Sequence, residues 1–175
     1  MNPLKLSMAI LALIFTTSAN AQTPYSTHFK NGGNIATFLS VDLPGFDSAW
    51  RAPDGTIWTD MINGDYTNIP TKGEELINNQ IQHSPAIGAC AALGARLPTK
   101  EDYLKLQSYF EQDGNALSQQ GMDDLGKLFP KMINEFMWTS SGDPKDLLGV
   151  FYFNGYSGSL VFGSYQYLYS VQCVK

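Results

Sequence analysis

Two cysteines, two histidines and a scatter of carboxylates are the residues of this chain with chemistry to offer. Cys90 and Cys173 show no Cys-x-x-Cys spacing, so they build neither a zinc knuckle nor a thioredoxin-type redox site. His28 and His83 are the only histidines, and a histidine-dependent triad would have to use His83, just before a helix start. Gly155-Tyr156-Ser157-Gly158-Ser159 lacks the last glycine of a Gly-x-Ser-x-Gly nucleophile elbow, and no phosphate-binding glycine loop occurs. The adjacent acids Glu74 and Glu75 suggest catalysis at first sight. Thr71-Lys72-Gly73-Glu74 has capping-box spacing, which explains them without a cleft. Asp113, Asn115, Asp123 and Asp124 could gather a cation, but no EF-hand loop surrounds them, and the cluster reads as a solvated acidic loop. Neither a metal nor another cofactor is expected.

Compartment decides what the cysteines do. Lys5 precedes a 12-residue apolar stretch, Leu6 to Thr17, and Ala19-Asn20-Ala21 supplies a small-x-small cleavage pattern. Residues 1–21 read as a signal peptide, with Gln22 as the new N-terminus. The apolar run is short for a span, which needs about 20 residues, so no membrane insertion is expected after cleavage. No cysteine follows the cleavage site to carry a lipid. The protein is therefore expected to be exported, to the periplasm or beyond the cell. An oxidising compartment favours pairing of Cys90 with Cys173, with two buried thiols as the alternative.

Removing residues 1–21 takes away one lysine and no acid, leaving 154 residues with a charge of −6. That field attracts neither nucleic acid nor an anionic membrane. At 43% hydrophobic, 13% aromatic and 15% charged, the chain is too apolar for disorder and poorer in charge than a typical soluble domain. One domain with one real core is expected.

The elements that must hold these residues follow from period and punctuation. Residues 22–33 are polar and broken by Pro24 and Gly32-Gly33, and read as a loose leader. Asn34 to Leu43 reads as a strand, Asp54-Gly55 as a turn and Thr56 to Thr59 as a short strand. Ile77 and Ile81 support a short helix behind the Thr71 cap. Ser84-Pro85 starts a better one, with Ile87, Cys90, Ala91 and Leu93 as an apolar stripe and Gly94 as its stop. Thr99 caps another helix with Tyr103, Leu106, Tyr109 and Phe110 on one face, and residues 111–127 read as a long surface loop with at most one helical turn. Leu148 to Phe153, Ser159 to Phe162 and a final strand follow, the first two joined by a turn at 154–158. In the final strand Tyr165, Tyr167, Tyr169, Val171 and Cys173 share a face turned to the core.

One stretch carries a resemblance: Ala86-x-x-x-Cys90-x-x-Leu93-Gly94-x-Arg96-Leu97-Pro98-Thr99-x-x-Asp102-Tyr103. With Asp54 to Thr59, Trp138-Thr139-Ser140-Ser141 and the ending Val171-Gln172-Cys173-Val174, it resembles exported bacterial domains of unknown function related to the C-terminal domain of collagen-like adhesins. These look like variants of the C-type lectin-like fold, with sulfatase-modifying and formylglycine-generating enzymes as distant kin. The resemblance covers roughly residues 48–174. Its usual Glu, Trp and Arg are here Asp102, Tyr103 and Gln172.

The resemblance implies an α+β, C-type lectin-like domain over 48–175, with 22–47 as leader and first strand. Two short helices would pack on a small, mostly antiparallel sheet, long loops would gather at one end, and Cys90 would bond to Cys173. The sugar-site tripeptides Glu-Pro-Asn, Gln-Pro-Asp and Trp-Asn-Asp of calcium-dependent lectins are absent. The expected function is calcium-independent, non-catalytic recognition or adhesion, with a carbohydrate or surface protein as partner. The alternatives are a sulfatase-modifying type of enzyme, which needs a free thiol pair, or an oligomerising envelope protein. At the loop end Asp113, Asn115 and Asp143 are candidates for hydrogen bonds to sugar hydroxyls and Tyr165 for stacking. Tyr156 offers a second turn-borne ring. Trp58 and Trp138 are expected in the core, and Arg96 as a structural partner of a carboxylate.

Overall fold

The computed structural model describes residues 22–70, 76–143 and 146–175. The expected signal peptide and the Thr71–Glu74 capping box lie outside them. The described chain is a mixed α and β domain built on one large sheet. In chain order its strands are β1 (Pro24–His28), β2 (Asn34–Ser40), β3 (Ala49–Arg51), β4 (Ile57–Tyr66), β5 (Gln112–Asp113), β6 (Ala116–Leu117), β7 (Phe136–Asp143), β8 (Asp146–Asn154), β9 (Ser159–Ser164) and β10 (Tyr169–Val174). Its helices are α1 (Pro85–Ala91), α2 (Lys100–Gln107) and α3 (Gln119–Leu128), with a 3-10 turn at Pro130–Met132. The sheet runs β1-β2-β3-β4-β10-β7-β8-β9, and β5 and β6 form a small separate hairpin. Pairing is antiparallel throughout the described strands except between β10 and β7.

Period-2 alternation sorts the side chains into two cores. On one face Trp58, Met137, Phe153 and Val174 pack with Tyr103 and Leu106 of α2 and Leu125 and Leu128 of α3. On the other, Trp138, Val150, Val171 and Cys173 pack with Ala86 and Cys90 of α1. Tyr169 joins this second core with Val171 and Cys173, so that part of the expected shared face is present, but β10 starts at Tyr169, and Tyr165 and Tyr167 lie in the connection before it. The Cys90–Cys173 disulfide bolts α1 to β10 across 83 residues. In the chain-entropy picture that closure is worth about 4.5 kcal/mol.

Helix ends form where the sequence placed them. Ser84 Oγ accepts the Ile87 amide at 3.2 Å, and Pro85 opens α1. Thr99 and Asp102 form a capping box at α2. Asp102 also takes both Arg96 guanidinium nitrogens, at 2.5 and 3.0 Å. Burial pushes its carboxyl up, but Arg96 and the Thr99 amide outweigh that and hold it below the usual carboxylate range. Arg96 meanwhile exchanges backbone hydrogen bonds with Val174, so the Arg-Leu-Pro-Thr-x-x-Asp run is a clamp between last strand and helix.

Four expectations need correction. The segment read as a loose leader contains β1, which pairs with β2 from Pro24↔Leu39 to His28↔Asn34. No helix contains Ile77 and Ile81: Ile77 pairs with Gln80 around Asn78 and Asn79, whose φ of 51° and 61° are those of a type I′ turn. Two asparagines that tolerate positive φ won over an i,i+4 pair of isoleucines. The loop at 111–127 is a hairpin followed by α3, whose Ser118 cap the polar composition hid. Finally, Ala91 and Leu93 are exposed and only Ala86 and Cys90 of α1 are buried. Gly94 does stop the helix, at φ 68°.

Candidate functional site

Helix α1 covers only part of its face of the sheet, the part around Val171 and Cys173. Beyond it the face is roofed by its own aromatic rings. Phe136 and Trp138 of β7 share a face because they are two residues apart, Tyr152 of β8 lies opposite Trp138, and Tyr169 of the neighbouring β10 sits among them. Tyr169 lies 4.5 Å from Trp138, 4.9 Å from Tyr152 and 5.0 Å from Phe136 between ring centroids. Two loop tyrosines extend the group into solvent. Tyr156, in the β8–β9 turn, lies 5.2 Å from Phe136, and Tyr167, in the β9–β10 connection, stacks on Tyr169 at 5.7 Å. They are 58% and 55% exposed, whereas Trp138 is fully buried beneath.

The support is rigid. The Trp138 indole N–H donates to the Tyr66 carbonyl at 2.6 Å. Tyr152 lies over Gly163, where a side chain would press on its ring. Burial first, then Tyr152 and Tyr167 beside it, push the Tyr169 phenol up to about 12, so this one ring stays uncharged at neutral pH. The acids Glu135 and Asp65, both exposed, adjoin Phe136 and Tyr66 in sequence.

The four residues singled out for binding do not form one site. Asp113 lies on β5 and Asn115 in the adjoining turn, both exposed. Asp113 lines a cavity of about 410 Å³ with Lys30, Glu111 and Asp123. Asp143 lines another, of about 590 Å³, with Asn78, Asn79, Lys100, Glu101 and Phe151. It therefore sits beside the start of α2. Tyr165 is half-buried against the second core, and its carbonyl accepts the Asn68 amide.

Asp124 departs furthest from the reading as a solvated acid. It is fully buried on α3 and accepts the Tyr25 hydroxyl at 2.7 Å and the His28 amide at 2.6 Å. Gln120 Nε2 at 3.3 Å, His28 Nδ1 at 3.4 Å and Lys127 Nζ at 3.7 Å complete its surroundings. Burial, and then Asp124 itself, push the Tyr25 phenol up, which keeps it a donor. This carboxylate is a latch between β1 and α3. Among the described residues no three His, Cys, Asp or Glu side chains gather as a metal ion requires. No described helix is long and apolar enough to cross a membrane.

Of the ring face, only Tyr156 was singled out for recognition from sequence. The period-2 placement of Phe136 and Trp138 and of Tyr167 and Tyr169 was a visible signal, but strand order, which brings β7, β8 and β10 together, was not. Set against known proteins, the chain matches no family model, no curated protein and no solved structure.

Proposed function

We propose that this chain is an exported, calcium-independent and non-catalytic recognition domain, of C-type lectin-like fold, whose aromatic face docks a carbohydrate. The observation that carries this reading is the cluster of rings on β7, β8 and β10, ending in two tyrosines more than half exposed. Exposed tyrosine rings on a rigid base lose little entropy on binding and offer both an apolar face and a hydroxyl. The charge of −6 disfavours an anionic polymer, and exposed tyrosine rings suit a neutral glycan. The disulfide supports the non-catalytic side, because it occupies both thiols that the sulfatase-modifying reading needs.

A binding screen of residues 22–175 against neutral glycans, anionic glycans and surface proteins, run in chelator, tests this. Retention on a neutral glycan is expected. Capture only by surface proteins would leave recognition standing and move the ligand class. Binding that appears only when calcium is restored would overturn the calcium-independent reading.

A further inference from the structure

The outer end of β1 is anchored at Thr23. Its amide donates to Ser40 Oγ at 2.8 Å, and its carbonyl accepts the Ser40 amide at 3.0 Å. Gln22 stands one residue before this anchor and is exposed. It lines a cavity of about 470 Å³ with Ser40, Val41 and Trp50, so its side chain has room to turn. The small-x-small pattern Ala19-Asn20-Ala21 puts the expected cut immediately before this same residue. Cut and anchor leave a single residue between them, a glutamine fixed on its carbonyl side by Thr23 and free on its amine side.

We propose that Gln22, once released as the N-terminus, closes on itself to pyroglutamate. The uncharged α-amine attacks Cδ, the carbonyl carbon of its own side chain. The Nα–Cδ bond forms, the Cδ–Nε2 bond breaks, and Nε2 leaves as ammonia with the proton that the amine gives up. Nothing is oxidised or reduced, and no co-reactant is needed. One residue carries both reacting groups, which makes the closure of a five-membered lactam an intramolecular step. The fold has only to leave the residue free. Thr23 holds the carbonyl side, which the ring does not use.

The lactam removes the terminal amine that an aminopeptidase must grip. Its place makes that protection matter. β1 is the edge strand of the sheet, and trimming beyond Gln22 would take Thr23 and both of its bonds to Ser40. This proposal rests on the export reading and not on the recognition reading.

The test is to secrete the full chain, residues 1–175, through its own leader in a bacterial host. Free amines are methylated on the intact protein before digestion, so that closure during handling is not counted, and fragment masses then read the N-terminal peptide. Most chains should begin at Gln22, unmethylated there and lighter by one ammonia. Gln22→Ala should be cut at the same place and be methylated at its terminus. An aminopeptidase should take the first residue from this variant and none from the native chain. A Gln22 that is still methylated after long incubation at neutral pH overturns the closure, and a native chain trimmed as fast as the variant overturns its protective role. A chain that keeps residues 1–21, or is cut elsewhere, overturns the proposal through the export reading instead, and its different first residue tells that failure apart.

Discussion

Replacing Asp124 by alanine should do more damage than any other single removal of an acid from the described fold. The carboxylate is fully buried and accepts two short bonds, from the Tyr25 hydroxyl at 2.7 Å and the His28 amide at 2.6 Å. Each such charge-assisted bond is worth roughly 1.5–3 kcal/mol, and its loss strands a donor inside the protein. The summed cost should be about 3–5 kcal/mol, the range for breaking a buried ionic group. For a domain of this size that is roughly 10–15 °C in Tm. Asp124→Asn keeps the shape and one acceptor oxygen and should cost about 1–2 kcal/mol, having lost the charge assistance. Urea unfolding gives the energies, and amide exchange gives their location. In Asp124→Ala the β1 amides should exchange far faster, while those of β10, held by the disulfide, should change little. A loss below about 1 kcal/mol, or uniform acceleration across the sheet, would show that β1 is not latched through this carboxylate.

Three further outcomes follow from the packing. Cys90→Ser combined with Cys173→Ser should lower the unfolding free energy by about 4.5 kcal/mol for a loop of 83 residues, read by urea titration. Asp102, with its carboxyl held low in the folded state, stabilises above the unfolded carboxylate pKa and loses that contribution as pH falls. The deficit of Asp102→Asn, about 1 kcal/mol because Arg96 is exposed, should therefore shrink below about pH 4 in melts across the acid range. Gly155→Ala should fold poorly, because its new methyl would meet the Met132 and Glu135 carbonyls, whereas Gly88→Ala on α1 enters open space and should stabilise by roughly 0.5–1 kcal/mol in the same melts.

What was legible in the sequence were features set by neighbours in the chain. Ser84-Pro85, Thr99 with Asp102, and Gly94 fix helix ends through contacts within a few residues, and all three appear in the fold. The period-2 run ending in Cys173 placed that cysteine inward, which is where α1 meets it. Features set by distant partners were hidden. Nothing within residues 22–33 reveals that β2 will accept β1, or that Asp124, a hundred residues on, will cap it. Composition misled at α3, where only Met122, Leu125 and Leu128 are large apolar residues, yet Gly121 and Asp124 are buried as well. Gln172, standing where the resembling domains usually have Arg, is a buried amide that donates to the Thr59 carbonyl at 2.9 Å and accepts the Tyr103 hydroxyl at 3.4 Å. Tyr156 pointed at the ring face, but the face itself exists only once three strands from different parts of the chain are ordered side by side.

The central claim is that the aromatic face is the docking surface, and affinity electrophoresis through neutral polysaccharides in chelator tests it most directly. The native chain should be retarded by at least one of them. Tyr156→Ala and Tyr167→Ala, each at a position more than half exposed, should keep native melting behaviour and weaken binding at least tenfold, about 1.4 kcal/mol. Asp113→Ala and Asn115→Ala, on the separate hairpin, should bind as the native chain does. If retardation is unchanged in both tyrosine variants, or is lost instead in the hairpin variants, the aromatic face is not where this protein meets its ligand.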